Sequence, residues 1–436
     1  MLKLKYLASL VLATLLFVAC DDGATPPPTE EPLPATPIPT QTATAISTPM
    51  ETADGPEEQA STLATPLPTA LPVPTATPSF LEIQPDDWIH GPVEAFVTVV
   101  VYNDFQCSTC GTLASWLKRL QETYPSDVRV VFRHYPLIDN HDKAQLAAEA
   151  AEAAGAQGAF WEMHDRLFED QRRWSTASLD QAGLFFIDYA TQLGLDAERF
   201  AADLEKGTYR DKLQDCYQET IEQELSGIPT IFINGQLFQA PLSYNWLDTF
   251  IQLALLARRQ YASPPPMALD PQKNYQAVIK TEKGDIVVAL DDAHAPVTVN
   301  NFVFLARQGW YDGTTFFWVQ PDFVAQAGDP TNTGLGNPGY ELPAEIGLPH
   351  GTGAIAMARR PDPVNPEKRS DGSQFYITLK AIPQLDGAYT VFGDVIAGIE
   401  VVRALTPRDA SQNPGLPPGD KIITIEIQEI SRLRSK

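Results

Sequence analysis

The sequence predicts two folded domains of different class. An α/β domain with a helical insertion comes first, and an eight-stranded antiparallel β-barrel with two helices follows. Three observations predict this. Between residues 97 and 258, β-branched runs such as Val97–Val101 alternate with long segments of helical periodicity. Beyond Ala262-Ser263-Pro264-Pro265-Pro266 the chain turns to short strand-like runs separated by glycine-rich turns. A length of 436 residues also suits two or three domains.

Charge and cysteine content narrow the functional classes. The chain has 55 acidic and 31 basic residues, a net charge of −24, which excludes nucleic acid as a natural partner. Its four cysteines (Cys20, Cys107, Cys110 and Cys216) are too few for a disulfide scaffold. At the N-terminus, Lys3 and Lys5 precede an apolar run, Tyr6 to Ala19, that is short for a membrane span. Leu16-Phe17-Val18-Ala19-Cys20 resembles a bacterial lipobox. That resemblance implies a signal peptide over residues 1–19, lipidation of Cys20 and an extracytoplasmic, membrane-anchored protein. Residues 24–79 hold fourteen of the 38 prolines and thirteen threonines, with no Lys, Arg or aromatic residue. Such a stretch cannot bury enough apolar surface to offset its chain entropy. We expect a tether over residues 20–82 that reaches roughly 100–150 Å from the membrane.

In the first folded domain, residues 83–261, the strand Val97–Tyr102 runs through Asn103-Asp104 into Phe105-Gln106-Cys107-Ser108-Thr109-Cys110. Leu113, Leu117 and Leu120 then mark a helix. A helix N-terminus carries about half a positive charge and free N–H groups, so it favours thiolate over thiol at Cys107. Cys110, one turn in, can resolve a mixed disulfide. A zinc site would need a second cysteine pair, and none exists. Neither a metal nor a cofactor is expected. A strand at Val128–Phe132 and helices at Ala144–Ala154, Phe160–Phe168, Leu179–Leu193 and Tyr209–Leu225 follow. Gly227-Ile228-Pro229-Thr230 then leads into Ile231–Ile233, a hairpin turn at Asn234-Gly235 and a last helix, Trp246–Arg258. Cys216 falls in a predicted helix, where a buried inert thiol is the default and a third redox cysteine the sharper alternative. His134, His141 and His164 lack metal-ligand spacing and read as structural or exposed.

This order resembles the thioredoxin superfamily, and within it the DsbA-like branch with an inserted helical domain. The resemblance spans Asp86 to Gln260 through Tyr102–Cys110, Phe132–Pro136, Ala148–Glu169 and Gly227–Gly235. It implies thiol–disulfide exchange on protein clients and a redox partner protein. Pro229 would be a cis-proline facing the cysteine pair, and the Ile228 backbone would pair with the substrate peptide. Ser108-Thr109 departs from the Pro-His or Pro-Tyr common in that branch. Without a His at the third position the couple should be less oxidising than that of DsbA.

After a linker at 262–273, the second domain, 274–432, carries eight strand signals. A hairpin joins Tyr275–Thr281 to Asp285–Leu290, and Val297–Ala306 is helical. The remaining strands are Thr315–Val319, Phe323–Gln326, Gly353–Met357, Gln374–Leu379, Thr390–Phe392 and Lys421–Ile427, with a second helix at Ile399–Leu405. Four ordered motifs carry a resemblance to cyclophilin peptidyl-prolyl isomerases. They are Phe323–Asp329, Ala356-Met357-Ala358, Asp371–Ile377, and Leu385-Asp386-Gly387 with Val391-Phe392-Gly393. By that resemblance Phe323, Val324, Tyr376 and Leu385 form a proline pocket, and Gln326 binds the substrate backbone. Gln374 lies beside it, and Ala358 and Arg359 contribute main chain.

One position departs from the family pattern. Phe316-Phe317-Trp318-Val319-Gln320-Pro321 has Trp318 where the family's catalytic arginine stands. Gln384 and Tyr389 replace a tryptophan and a histidine of many eukaryotic members. Amide rotation faces a barrier near 20 kcal/mol. A guanidinium aimed at the prolyl nitrogen favours the twisted state, whereas an indole N–H is a single neutral donor. Arg359 and Arg360 are expected to be solvated loop charges, with delivery of a guanidinium from that loop as the alternative. The combined expectation is a lipid-anchored folding factor acting on proline- and cysteine-containing clients. The alternative is an oxidoreductase whose barrel only grips proline peptides.

Overall fold

We describe the protein from a computed structural model, which covers residues 79–410 and 416–432. Cys20, the apolar N-terminal run and nearly all of the expected tether lie outside the described residues. The first sheet contains β1 (Trp88–His90), β2 (Val97–Asn103), β3 (Val128–His134), β4 (Thr230–Ile233) and β5 (Gln236–Leu237), in the order β1-β3-β2-β4-β5. β2 pairs in parallel with β3 and antiparallel with β4. The parallel pairing requires a crossover, which α1 (Ser108–Thr123) supplies. The β-branched run of β2 is buried on both faces. Val97, Val99 and Val101 enter the main core with Leu113 and Leu117 of α1. Val100 and Tyr102 face a smaller cluster with Leu81 and Phe232.

Between β3 and β4 the insertion holds α2 (Ala144–Gly155), α3 (Phe160–Glu169), α4 (Gln171–Ser175), α5 (Leu179–Gln192), α6 (Ala197–Lys206) and α7 (Arg210–Glu222). The α2 sequence is rich in small residues, and nearly every one is buried. Its Gly155 is needed for close approach, because a Cβ there would lie 2.4 Å from the Trp88 ring. Trp88 in turn stacks on Phe160 at 4.2 Å. α5 begins with a capping box at Ser178 and Gln181. At the β4–β5 turn, Asn234 and Gly235 both have positive φ, as the expected two-residue hairpin requires. α8 (Tyr244–Leu256) closes the domain and packs on β2 and β4.

The second domain has β6 (Lys273–Thr281), β7 (Gly284–Leu290), α9 (Pro296–Arg307), β8 (Trp318–Gln320), β9 (Val324–Ala327), β10 (Glu341–Leu342), β11 (Ala354–Met357), β12 (Ser370–Asp371), β13 (Phe375–Thr378), β14 (Val391–Ala397), α10 (Ile399–Arg403), β15 (Arg408–Asp409) and β16 (Ile422–Ser431). Nine strands form one antiparallel sheet, β15-β8-β9-β13-β11-β14-β7-β6-β16, with β10 and β12 as a separate pair. The eight expected strands and the antiparallel architecture are present, with one short strand more. The two-residue strand β15 adds a ninth, and its sequence is too short to signal a strand. The two ends of the sheet are tied where residues 313–316 meet 420–422, through the Thr315–Lys421 bridge and backbone bonds from Gly313 N–H to Ile422 O, Ile422 N–H to Thr314 O and Phe316 N–H to Asp420 O. The two expected helices, α9 and α10, are both present.

Side chains alternate across this sheet. Ala325, Ile355, Phe375 and Ile377 point into the domain core with Phe302 of α9. Val324, Ala354, Ala356 and Tyr376 point outward into a second apolar cluster with Phe323, Leu385 and Tyr389. The junction between the domains is also packed. Leu256, the last residue of α8, is buried in the core of the second domain. Arg259 lies 5.2 Å over the Trp310 ring, and the Tyr261 N–H donates to the Pro338 carbonyl at 2.8 Å.

Candidate active sites

Cys107 sits at the N-cap of α1 with extended backbone angles, and Cys110 is inside the first turn. Both are free thiols. Cys107 is 9% exposed and Cys110 is sealed. The Cys107 sulfur accepts the Cys110 backbone N–H at 3.3 Å. The Cys110 thiol, as donor to Cys107, is the largest influence on its ionisation. The N–H groups of Cys110 and Thr109 add to it, against burial and the charge of Asp104. The balance lowers Cys107 to about 6. Burial, then the bond to Cys107, pushes Cys110 far above the ordinary thiol range. One sulfur is therefore ionised and reachable, and the other is held as a thiol behind it.

The loop that carries Cys107 is clamped from three sides. The buried Asp104 carboxylate accepts from the Gln106 N–H (2.7 Å), the Leu137 N–H (2.9 Å) and His141 Nδ1 (2.7 Å). Gln171 of α4 donates to the carbonyls of Phe105 and Cys107 at 2.7 and 2.8 Å. Gln106 donates to Asp142 at 2.9 Å and accepts from the Lys143 N–H at 2.7 Å. Behind the loop, Phe105 packs against Phe132, His164 and Phe168. The Ile228–Pro229 bond is cis. Thr230 pairs with Tyr102 across β4 and β2, which places Pro229 at the same end of the sheet as Cys107.

The histidines are structural. His134 bonds Glu152 at 3.0 Å, and Lys212 and Trp88 bond the same carboxylate at 2.9 and 2.7 Å. Burial alone would raise Glu152, but its bond and charge interaction with His134, then Lys212, hold it at about 2. His164 is buried among aromatic rings, which lowers its pKa. Cys216 is half-buried on α7, and burial raises it to about 11. No cluster that could hold a metal occurs among the described residues.

On the second domain one cross-strand row brings together several of the residues expected to contact a peptide. Trp318 pairs with Gln326, Gln326 with Tyr376, and Tyr376 with Ala356. Residues opposed in this way share a face of the sheet. Phe323 packs edge-on against Trp318 at 6.1 Å, and Val324 and Leu385 lie in the same outer cluster. Gln326 donates to Gln374 Oε1 at 3.0 Å, and Gln374 Nε2 donates to the carbonyls of Gly334 and Gly336.

Ala358 and Arg359 stand differently from expectation, and Arg360 is the expected solvated loop charge. The Ala358 backbone is already engaged, its N–H with Gln374 O and its carbonyl with Asp371 N–H. Arg359 is no solvated loop charge, since its side chain is 6% exposed. It donates to Ala388 O, pairs with Asp362 and lies 4.6 Å over the Tyr389 ring. Arg360 is exposed and pairs with Glu341. Trp318 thus stands in its place with neither neighbouring guanidinium free.

Sequence reasoning missed several supporting residues. Behind Tyr376, His350 Nε2 meets the hydroxyl at 3.0 Å while Nδ1 meets Asp386 at 2.9 Å. Asp386 belongs to the Leu385-Asp386-Gly387 motif, but His350 carries no local signal. Gln171 was equally silent, because nothing in its spacing says that the insertion folds back onto the cysteine loop.

Comparison with known proteins finds a match for each of the two domains. A family model for thioredoxin matches residues 84–253, and one for cyclophilin type peptidyl-prolyl cis-trans isomerase matches residues 276–427. The peptidyl-prolyl cis-trans isomerase of Synechococcus elongatus is 40% identical over 155 residues, covering 35% of this chain and 95% of that protein. The chain belongs to the cyclophilin type peptidyl-prolyl isomerase family through this C-terminal domain, and it carries a thioredoxin-like domain ahead of it. A Na(+)/H(+) antiporter NhaA of Salinispora tropica is 40% identical over 178 residues, 41% of this chain. This chain spans only 26% of the length of that relative. Among solved structures, oxidised BdbD from Bacillus subtilis is 24% identical, with 38% of this chain and 91% of that chain covered and a TM-score of 0.35.

Proposed function

We propose that the chain is an extracytoplasmic protein-folding factor, anchored by lipid on Cys20, that exchanges disulfides and isomerises prolyl bonds in client proteins. Residues 83–261 form the redox module and 274–432 the prolyl module, joined by 262–273. The observation that carries the reading is the Cys107 sulfur, capped by Cys110 and lowered to about 6 at a helix N-terminus. Its thiolate attacks one sulfur of a client disulfide, forming a mixed disulfide and expelling the other as a client thiolate. Cys110 then loses its proton and attacks the Cys107 sulfur. The Cys107–Cys110 bond forms and the second client thiolate leaves. Run backwards, the same steps oxidise a client dithiol.

In the prolyl module, Phe323, Val324, Tyr376 and Leu385 supply the apolar seat for a proline ring, and Gln326, steadied by Gln374, holds the peptide backbone. The occupied guanidiniums of Arg359 and Arg360 favour a second reading, in which this face grips proline peptides and raises their effective concentration near Cys107. A protease-free prolyl isomerisation assay on the full chain, beside Trp318→Arg, separates the two. Acceleration well above background by the native chain supports catalysis. Acceleration only by the arginine variant leaves the redox centre as the enzyme and the second module as a binding face. No helix among the described residues is long and apolar enough to cross a membrane. The proposed anchor is the lipid on Cys20.

A further inference from the structure

The helical insertion carries a groove of about 700 Å³ that the exchange chemistry does not use. One wall is the outer face of α5. The opposite face of that helix, with Ala182, Phe186 and Tyr189, is buried in the domain core. Leu184 and Ile187 line the groove, and Leu184 is 65% exposed. The floor is open at Gly183, where an added Cβ would meet only Leu146 at 3.8 Å. The rim is acidic, with Asp142, Glu149, Asp180 and Glu205 against one cation, Arg210. Glu149 is only 2% exposed, and its Oε2 has no hydrogen-bond partner although Oε1 receives Gln145 and Arg210. One end of the groove reaches the redox centre, because Asp142 accepts from Gln106, the residue before Cys107.

An exposed helix face on an acidic rim, beside a buried carboxylate with one unpartnered oxygen, suits a partner that is apolar and cationic. The chain's own segment 24–79 does not fit, since it has six acidic residues and no Lys or Arg. We propose that this groove seats an apolar, Lys- or Arg-bearing segment of the client polypeptide and thereby presents a nearby client cysteine to Cys107. The inference rests on the exchange reading above and adds to it the charge class of the preferred client.

The test uses the full chain and two fluorescent twelve-residue peptides rich in Leu and Ile, one with three Arg and the other with three Glu. Each is made with a central Cys as a mixed disulfide, and again with Ser in its place. Anisotropy with the Ser peptides reads docking without redox chemistry. Stopped-flow exchange with the Cys peptides, referred to the rate with hydroxyethyl disulfide, reads presentation. The cationic peptide should bind and exchange about tenfold better at low salt, and the preference should fade at high salt. Gly183→Leu, which fills the floor, and the pair Asp180→Lys with Glu205→Lys should each remove the preference. Equal binding of both Ser peptides, or a preference that survives Gly183→Leu, overturns the proposal. Self-association that Gly183→Leu abolishes makes a second copy the occupant and also overturns it. Docking of the cationic Ser peptide with no exchange of any disulfide keeps the groove and removes the redox reading instead.

Discussion

Replacing Thr109 by His tests how the cysteine pair sets its redox poise. Thr109 is exposed in the first turn of α1, and its N–H already helps hold the Cys107 thiolate. At pH 7 a thiol ionising at about 6 gains about one decade of stabilisation as thiolate. The DsbA nucleophile, ionising near 3.5, gains about 3.5 decades. The gap of about 2.5 decades is about 3.4 kcal/mol. For a two-electron couple that is about 70 mV, so a potential near −190 mV is expected against about −120 mV for DsbA. An imidazolium at 109 adds a positive charge beside the sulfur, so Thr109→His should lower the thiol pKa and raise the potential by part of that gap. The sign also fixes the pH dependence. Because the folded thiol ionises below its unfolded value, the thiolate stabilises the reduced form above about pH 8.5, and this is lost as pH falls through about 6. Glutathione equilibration gives the potential, and the rate of iodoacetamide alkylation against pH gives the thiol midpoint. A native potential at or above −120 mV refutes the reasoning, as does a Thr109→His variant that leaves both midpoints unmoved.

Three further outcomes are expected. Trp318→Arg should raise prolyl isomerisation by roughly a hundred- to a thousandfold if the missing guanidinium limits the native rate, read in the protease-free assay. Glu152→Gln should cost about 3 kcal/mol by leaving His134 and Lys212 without their buried anion, at the low end for such pairs because Lys212 reaches water. Native Glu152 contributes stability above about pH 4.3 that is lost as pH falls through about 2, so thermal melts of the two proteins should converge in acid. Asp371 is raised to about 7, chiefly by burial and further by the Asp329 charge, so the stability of its neutral form is lost as pH rises through about 7. Asp371→Asn keeps an oxygen for the Ser373 and Gln374 N–H groups. It should be more stable than the native chain by about 2 kcal/mol at pH 8, with the gain shrinking toward pH 4. Equal melting curves at pH 8 would count against the shift.

Much of this architecture was legible because it rests on local rules. Val97–Asn103 and Val128–His134 are β-branched and buried on both faces, so their composition alone marks them. The cysteine pair announces itself by spacing, and Asn234-Gly235 announces its turn by the φ angles it tolerates. The outer row from Trp318 to Ala356 was readable through family motifs, which keep the alternation of the sheet. What escaped has a common cause. β1, β10, β12 and β15 are two or three residues long, so their pairing depends on neighbours distant in sequence. α6 escaped although its Phe200 and Leu204 follow helical spacing, because the polar stretch around them reads as loop. Gln171, His350 and the packed Arg359 act through contacts across long chain separations, which no window of sequence displays.

The burial of Leu256 bears on the order in which this chain can reach its final form. The sheet that covers Leu256 is complete only with β16, whose last residue, Ser431, comes about 175 residues later. At about 5–20 residues per second, synthesis needs roughly 9–35 s to supply that sheet. The first domain can close its own core in that time, but its last turn has no apolar cover until the second domain collapses. Arg259 and Tyr261 share that wait, because Trp310 and Pro338 come later. A chain stopped after residue 261 would keep this edge open, so truncation there should yield a domain prone to self-association. The slowest exposure of this chain during folding would be at the seam between its two halves.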